Sequence, residues 1–354
     1  MSKKLLPLML AAIVFSCAMA RAQSRKDLQV YFIDVEGGQS TLFVAPSGQT
    51  MLIDAGWPGT RDADRIMAVA KAAGITQIDY LVLTHYHVDH AGGVPELASR
   101  IPIRNFVDHG PTDDPLVNVP QYYAAYLKVR EKGRHILARP GEKIPISGID
   151  VQIISAATKT ILEPLPGAGA ANPACADFQP KDEAKDPMVG GENKNSVGTF
   201  TTFGKFRISD FGDLTWNKEH DLACPNNLLG TVDVYLVSHH GKETSSLPMM
   251  VWALHPRVAV MNNGANKGAE IPTFETLRKS PGFEDLWQLH YGVEAGPSNS
   301  AEQFLANLGT EGTKDSGVPN ELPVNYIKLT ARADGSFTFT NSRNGFSKEY
   351  AARN

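Results

Sequence analysis

Three histidines and an aspartate fall within six positions, His85-Tyr86-His87-Val88-Asp89-His90, directly after the apolar run Leu81-Val82-Leu83. Imidazoles and a carboxylate crowded together are costly to bury unless a positive charge holds them, so a metal centre is the reading that explains the group. A lone histidine beside a strand would be structural. On an extended segment His85 and His87 project from the same side and can grip one ion, while Asp89 and His90 follow where the chain turns. One short loop can thus begin two adjacent sites. Gly92 and Gly93 then permit a tight turn into a helix spanning Val94 to Arg100.

Other strand ends carry similar chemistry. The alternating stretch Phe206 to Asp210 runs into Phe211-Gly212-Asp213, and Val232 to Val237 delivers Ser238-His239-His240-Gly241. Val258 to Met261 delivers Asn262-Asn263-Gly264-Ala265-Asn266-Lys267. Two cations held close together repel, and a carboxylate at a strand end can bridge them. Asp213 is preferred for that role because it sits where the strand stops, whereas the competing Asp210 is still within the alternation.

The H-x-H-x-D-H pattern of residues 85–90 resembles the signature of the metallo-β-lactamase superfamily. The resemblance implies an α/β fold, a four-layer αβ/βα sandwich with the metal loops on one rim. It implies that His85 and His87 hold one divalent ion, that Asp89, His90 and His239 hold the other, and that Asp213 bridges. The family's last histidine can be His239 or His240; His239 is favoured, leaving His240 to contact substrate or support the ligands. Asp89 has a second role open to it as a proton shuttle, so Asp89 and His240 are the catalytic candidates. Asp54, before Gly56, is expected to lie beneath the metal loop and orient it.

One departure matters. Between His90 and Asp213, where the β-lactamases carry a third histidine for the first ion, only His109 and His135 occur, and His109 is as readily a supporting imidazole. The order Asn193-Lys194-Asn195-Ser196, Gly212-Asp213, His239-His240-Gly241 is similar to the soluble relatives of the metallo-hydrolase domain of DNA-uptake competence proteins. That similarity implies a metal-dependent hydrolase, with a metal-activated hydroxide attacking a small-molecule phosphodiester or related ester. A lactone or β-lactam is the alternative substrate, and a non-hydrolytic iron redox protein or a metal-binding protein the alternative class. Nitrogen-rich ligation with carboxylates suits two Zn2+, with iron or manganese as the other choices.

The elements that must position these residues emerge from patterning. Leu28 to Val35, Thr41 to Ala45 and Met51 to Ile53 read as an N-terminal meander, Arg61 to Ala73 as a helix, and Ile78 to Thr84 as the strand feeding the metal loop. Ile101 to Val107 reads as a strand, Val119 to Lys132 as a helix, Ile144 to Ile154 as a hairpin, and Val324 to Thr340 as a late hairpin. Residues 158–195, rich in Pro, Gly and Ala, form an irregular insertion expected to rim the site. The hydrolase domain is placed at residues 28–354.

Residues 1–22, with Lys3 and Lys4 before the apolar run Leu5 to Ala20, read as a secretory signal peptide, giving a periplasmic or secreted protein with no retained membrane span. Removing Lys3, Lys4 and Arg21 would take the formal charge from −4 to −7. So acidic a chain argues against a long nucleic acid as partner. Cys175 and Cys224 would then remain, either disulfide-bonded in an oxidising compartment or as buried thiols. Oligomeric state is not encoded in any of these patterns.

Overall fold

The computed structural model describes residues 27–112, 114, 120–183, 185, 191–311 and 323–353. The expected signal peptide lies outside the described residues. From the N-terminus the elements are β1 (Leu28–Ile33), β2 (Thr41–Val44), β3 (Thr50–Ile53), α1 (Thr60–Ala72), β4 (Ile78–Val82), α2 (Val88–Ala91), α3 (Val94–Ala98) and β5 (Ile103–Asp108). Next come α4 (Pro120–Arg130), β6 (Arg134–Leu137), β7 (Lys143–Ile144), β8 (Asp150–Ala156), β9 (Lys159–Thr160), β10 (Gly198–Phe203), β11 (Phe206–Asp210) and α5 (Trp216–Ala223). The chain continues through β12 (Val234–Leu236), α6 (Pro248–Leu254), β13 (Val258–Met261), α7 (Ile271–Lys279), β14 (Asp285–Gln288), β15 (Tyr326–Ala331), β16 (Phe337–Asn341) and β17 (Ser347–Tyr350).

These make two sheets, one ordered β17-β16-β15-β1-β2-β3-β4-β5-β6 and the other β14-β13-β12-β11-β10-β8-β7, with β9 paired to β8. The late hairpin belongs to the first sheet. Its first strand pairs antiparallel with β1, so the C-terminal segment completes the N-terminal sheet. Strands β4, β12 and β13 are buried on both faces, which is why they read as continuous apolar runs.

Three apolar clusters explain the layering. Val30, Phe32, Ile153, Val234, Val260 and Trp287 belong to the cluster between the sheets. Tyr31, Leu52, Ile66, Leu81 and Leu97 join the first sheet to its helices, and Tyr235, Ala259, Met250, Leu254 and Phe274 join the second to α6 and α7. Helix, sheet, sheet, helix is the four-layer α/β sandwich expected of the fold.

The insertion is placed differently from expectation over much of its length. Leu165 and Gly169 donate backbone hydrogen bonds to Leu228 and Asn227 carbonyls, and Ala168, Ala174 and Phe178 pack against the cluster around α5 and α6. A disulfide between Cys175 and Cys224 ties the segment there. Apolar burial and the cross-link hold this part on the outer helical layer, while its end, Glu192 to Asn195, returns to the metal loop, Glu192 accepting from Tyr86 N at 3.2 Å.

A second polar group is buried at the end of β1. Glu36 accepts from both Arg65 guanidinium nitrogens at 3.1 Å and lies 2.9 Å from His290 Nε2, while Asn307 donates to Asp34 at 2.9 Å. Asp34, Glu36 and His290 could in principle ligate an ion, but Arg65 already supplies the positive charge. The cluster instead fixes the turn after β1, whose Gly37 packs on Gly264 so closely that a Cβ would sit 2.9 Å from its backbone nitrogen.

Burial disfavours charge on His290, but its contact with Glu36 and the field of Asp34 and Glu36 win, raising it to about 9. The folded state therefore holds a proton that the unfolded chain releases near 6.5, so this stabilisation is complete below 6.5 and is lost as pH rises through about 9. The denaturant midpoint of the native chain should fall more steeply over that window than that of His290→Gln, and parallel curves would refute the linkage. Separately, Cys224→Ser should lower unfolding stability by about 2–4 kcal/mol while leaving metal content unchanged, measured by denaturant titration and elemental analysis.

Candidate metal centre

Each candidate ligand stands where a strand ends, and the two sheets bring those ends together. After β4 the chain turns through Thr84 to His90; after β11 it reaches Gly212-Asp213; after β12 it makes a single tight turn at Ser238–Gly241. Backbone bonds stitch these loops: Val197 N to Thr84 O at 2.8 Å, His239 N to Gly212 O at 3.1 Å, Ala55 N to His90 O at 2.9 Å and Gln39 N to Asp89 O at 3.1 Å. Two glycines are required for so close an approach. A Cβ on Gly93 would meet the Ala55 carbonyl oxygen at 2.0 Å, and one on Gly212, at φ +56°, would clash with Thr84 Cβ at 2.8 Å.

Asp213 stands at the middle. One group of candidate ligands is Asp89, His90, Asp213 and His240; the other is His85, His87 and Asp213. His90 Nε2 is 3.3 Å from Asp213 Oδ1, while His240 Nε2 at 3.4 Å and His85 Nε2 at 3.8 Å face Oδ2. His240 Nε2 is also 3.1 Å from Asp89 Oδ2 and 3.3 Å from His90 Nε2. His85 Nε2 and His87 Nδ1 face each other across 2.9 Å.

The arrangement differs from the sequence reading at the tandem histidines. His240, not His239, joins Asp89, His90 and Asp213. The reason is local: both residues adopt left-handed backbone, φ 54° and 58°, so successive side chains swing to different sides of the turn. His239 Nε2 still lies 3.6 Å from Asp213 Oδ2, beside Asn193 Nδ2 at 3.3 Å, and its Nδ1 meets Thr244 Oγ1 at 2.8 Å.

Asp210 is held away from the centre. Gln39 Nε2 donates to both its oxygens at 3.0 Å, Gly212 N adds another bond, and burial pushes the carboxyl up to about 7. His109 does not reach the centre either: its Nε2 is 2.7 Å from Glu192 Oε1. His135 lies 2.9 Å from Asp108 instead.

The supporting bonds orient each ring. Asp54, at φ 58°, accepts from Thr84 N and Oγ1 at 2.8 and 2.7 Å and sits 2.7 Å from His90 Nδ1. With that nitrogen protonated, the Nε2 lone pair of His90 faces Asp213. Asn262 O does the same for His240 Nδ1 at 3.3 Å. Gln39 accepts from Asn262 Nδ2 at 3.1 Å, linking this support to Asp210. Gln39, Asn193, Asn262 and Glu192 carry these contacts; Asn193 and Asn262 lie in segments the sequence singled out, whereas no spacing rule marks Gln39 or Glu192.

Would a cation fit? Asp213 Oδ1 is buried and lacks a hydrogen-bond partner among the described residues. Burial works against ionising Asp213, yet His240, His90 and His239 hold its carboxyl well below the usual range. Burial likewise opposes charge on His90, but Asp213, Asp89 and Asp54 outweigh it and raise that imidazole well above its ordinary value. Converging nitrogens and carboxylate oxygens in a field that favours positive charge are the donor set a divalent ion needs.

Residues 34–172 match the family described as Metallo-beta-lactamase superfamily. Recombination protein 2 of Haemophilus influenzae is 23% identical over 270 residues, 75% of this chain and 28% of that protein. A hydroxyacylglutathione hydrolase of Stenotrophomonas maltophilia is 28% identical over 102 residues, 28% of this chain and 37% of the relative. The chain thus spans well under half the length of either. Among solved structures, the metallo-beta-lactamase fold protein YhfI from Bacillus subtilis aligns with a TM-score of 0.44 and 10% identity, covering 73% of this chain and 95% of that one.

Asp54→Asn keeps the shape and tolerates the left-handed backbone but removes the charge behind His90. Metal affinity should fall by about 10–100-fold in a competitive chelator titration, with the fold intact by circular dichroism. An unchanged affinity would show that Asp54 is only a turn residue.

Proposed function

We propose that this chain, whose residues 34–172 match the metallo-β-lactamase superfamily, is an exported hydrolase using two divalent cations, zinc by preference, to cleave a small phosphodiester or related ester. The observation that carries this reading is the single carboxylate of Asp213 shared between two groups of imidazoles, all buried but the half-buried His87. His85 and His87 would hold one cation, Asp89, His90 and His240 the other, with Asp213 between them. Bound there, the cations lower the pKa of water towards neutrality and polarise the electrophilic oxygen of a substrate.

The chain's own residues do the rest. Asp54, Thr84 and the Asn262 carbonyl fix the imidazole tautomers, so that no reorientation is needed at the moment of reaction. Asp89 is ionised well below its usual range: burial opposes this, but Lys267, His90 and His240 prevail. It is therefore available as an anionic ligand at neutral pH, while the same shift weakens it as a proton acceptor. His239, buried at the edge of the centre between Asn193 and Asp213, presents Nε2 inward while Thr244 anchors its other nitrogen.

Phosphodiester is ranked above lactone or β-lactam because, among the described residues, no third imidazole groups with His85 and His87; His109, the histidine nearest that place in sequence, is engaged with Glu192. The relatives' names, a recombination protein and a hydroxyacylglutathione hydrolase, point to different substrates and leave that ranking to the site. Export is supported by the Cys175–Cys224 disulfide, which persists in oxidising compartments. Among the described residues no helix is long and apolar enough to cross a membrane. Residues 28–354 are taken as one hydrolase domain.

The test is turnover of bis-p-nitrophenyl phosphate, a lactone and nitrocefin by one zinc-loaded sample. Phosphodiester cleavage, abolished by chelation and restored by zinc, is expected. Cleavage of the lactone or nitrocefin alone would overturn the substrate ranking, and intact metal with no turnover on any of the three would overturn the hydrolase reading in favour of a binding protein.

A further inference from the structure

A cavity of about 620 Å³ lies between the end of β6 and the chain around β9. Its walls are aliphatic, formed by Leu137, Ile161, Leu162, Leu165, Pro164 and Pro166, and at one end it meets the buried imidazole of His109. Among the described residues no Phe, Tyr or Trp lines it, and no lining residue carries a buried side-chain polar atom that lacks a hydrogen-bond partner. A polar guest would therefore find no spare side-chain group to replace its water. The charged residues on its border, Arg139, Lys159 and Glu163, are exposed.

Both walls are tied to the loop that carries the candidate ligands. His109 Nε2 lies 2.7 Å from Glu192 Oε1, the oxygen that accepts from Tyr86 N at 3.2 Å, and Tyr86 separates His85 from His87. Beside His109, the Gly110 carbonyl accepts from the Tyr86 hydroxyl at 2.5 Å, and Gly110 packs on Leu137 so closely that a Cβ would meet Cδ1 at 2.8 Å. The opposite wall is joined through Ala157 N to Asn195 O at 3.1 Å, in the segment where Asn193 meets His239. Ile161 and Leu165 are buried in the cluster around α5 and α6, which fixes the floor. The cavity is thus preformed, ends against the metal loop and has the size of a small-molecule site. Its border is unfinished: Leu162 is 86% exposed and Leu137 37% exposed, and both would gain by being covered with apolar surface.

We propose that this cavity receives an alkyl chain of the substrate, so that the ester presented to the metal centre is amphiphilic. The inference rests on the hydrolase reading and deepens it by naming the substrate class. Aliphatic walls without an aromatic ring offer a flexible chain contact along its length and offer an aryl group nothing to stack on. Burying the chain would also hold the polar end of the substrate beside the Tyr86 loop, which is the positioning a reaction at the metals requires.

The experiment uses zinc-loaded full-length protein and a series of alkylphosphonates, from methyl to octyl, with binding followed by calorimetric titration. Alkylcarboxylates of the same lengths are run in parallel, so that the choice of head group does not decide the outcome. Affinity should rise by about three- to fourfold for each added methylene. The Leu137→Asp, Leu162→Asp double variant should lose most of that rise while binding the methyl compound as the native chain does, and Leu162→Met should keep it. Because Leu162 is so exposed, Leu162→Asp alone still decides if the double variant fails to fold. Affinity independent of chain length with both head groups, or no binding at any length, would overturn the proposal. A rise that persists in the aspartate variants would place the chain elsewhere and overturn it too. Tighter binding of phenylphosphonate than of hexylphosphonate would overturn the alkyl assignment. Binding is read without turnover, so a chain-length effect in a protein that cleaves nothing would sink the hydrolase reading and leave the cavity assignment standing.

Discussion

The molecule is arranged around a charge problem at Asp213. A carboxylate whose Oδ1 has no hydrogen-bond partner among the described residues lies within 3.3 to 3.8 Å of four imidazole nitrogens, all of them buried. Each of these groups loses hydration on folding, and an unpaired polar group in a dry interior costs of order 1–3 kcal/mol or more. A divalent ion on either side of the carboxylate would turn that cost into a gain, because metal binding would then become part of the folding free energy. The strained backbones at Asp54, His239 and His240 belong to the same account. Left-handed conformations at non-glycine residues persist where surrounding structure imposes them, and here they aim side chains at one point.

The two sheets exist, in functional terms, to meet that requirement. The candidate ligands come from the ends of β4, β11 and β12, strands from different sheets, and no single loop could place five donors around the Asp213 carboxylate. The rigidity comes from parallel, doubly buried strands and from backbone bonds between loops rather than from the ligands themselves. The buried Glu36, Arg65 and His290 cluster extends this outward. It fixes the turn that supports both Gln39 and the Gly264 loop, and through them the Asn262 contact to His240 and the position of Lys267.

Much of this was legible in the chain. The apolar runs 81–83 and 258–261 gave buried strands because doubly covered strands lack alternation, and the His85 to His90 loop announced its chemistry through residue types that are expensive to crowd. Asp54 was placed beneath the loop, where the structure finds it against His90 and Thr84. What was not legible depended on backbone handedness and on long-range packing. Nothing in the letters His239-His240 says that both adopt positive φ, so which imidazole joins Asp89 and His90 could not be read. Helix ends moved by a residue or two, α3 stopping at Ala98 rather than Arg100, as fraying ends do. The insertion was recognisable as irregular, but its attachment to α5 and α6 came from a cross-link to Cys224 and pairing with residues 226–228, both remote in sequence.

Anomalous X-ray diffraction from zinc-soaked crystals, collected on both sides of the zinc absorption edge, tests the central claim most directly. Two anomalous peaks flanking the Asp213 carboxylate are expected, one against His85 and His87 and the other against Asp89, His90 and His240. A fully ordered Asp213 with no peak beside it, or zinc found only among Asp34, Glu36 and His290, would contradict it.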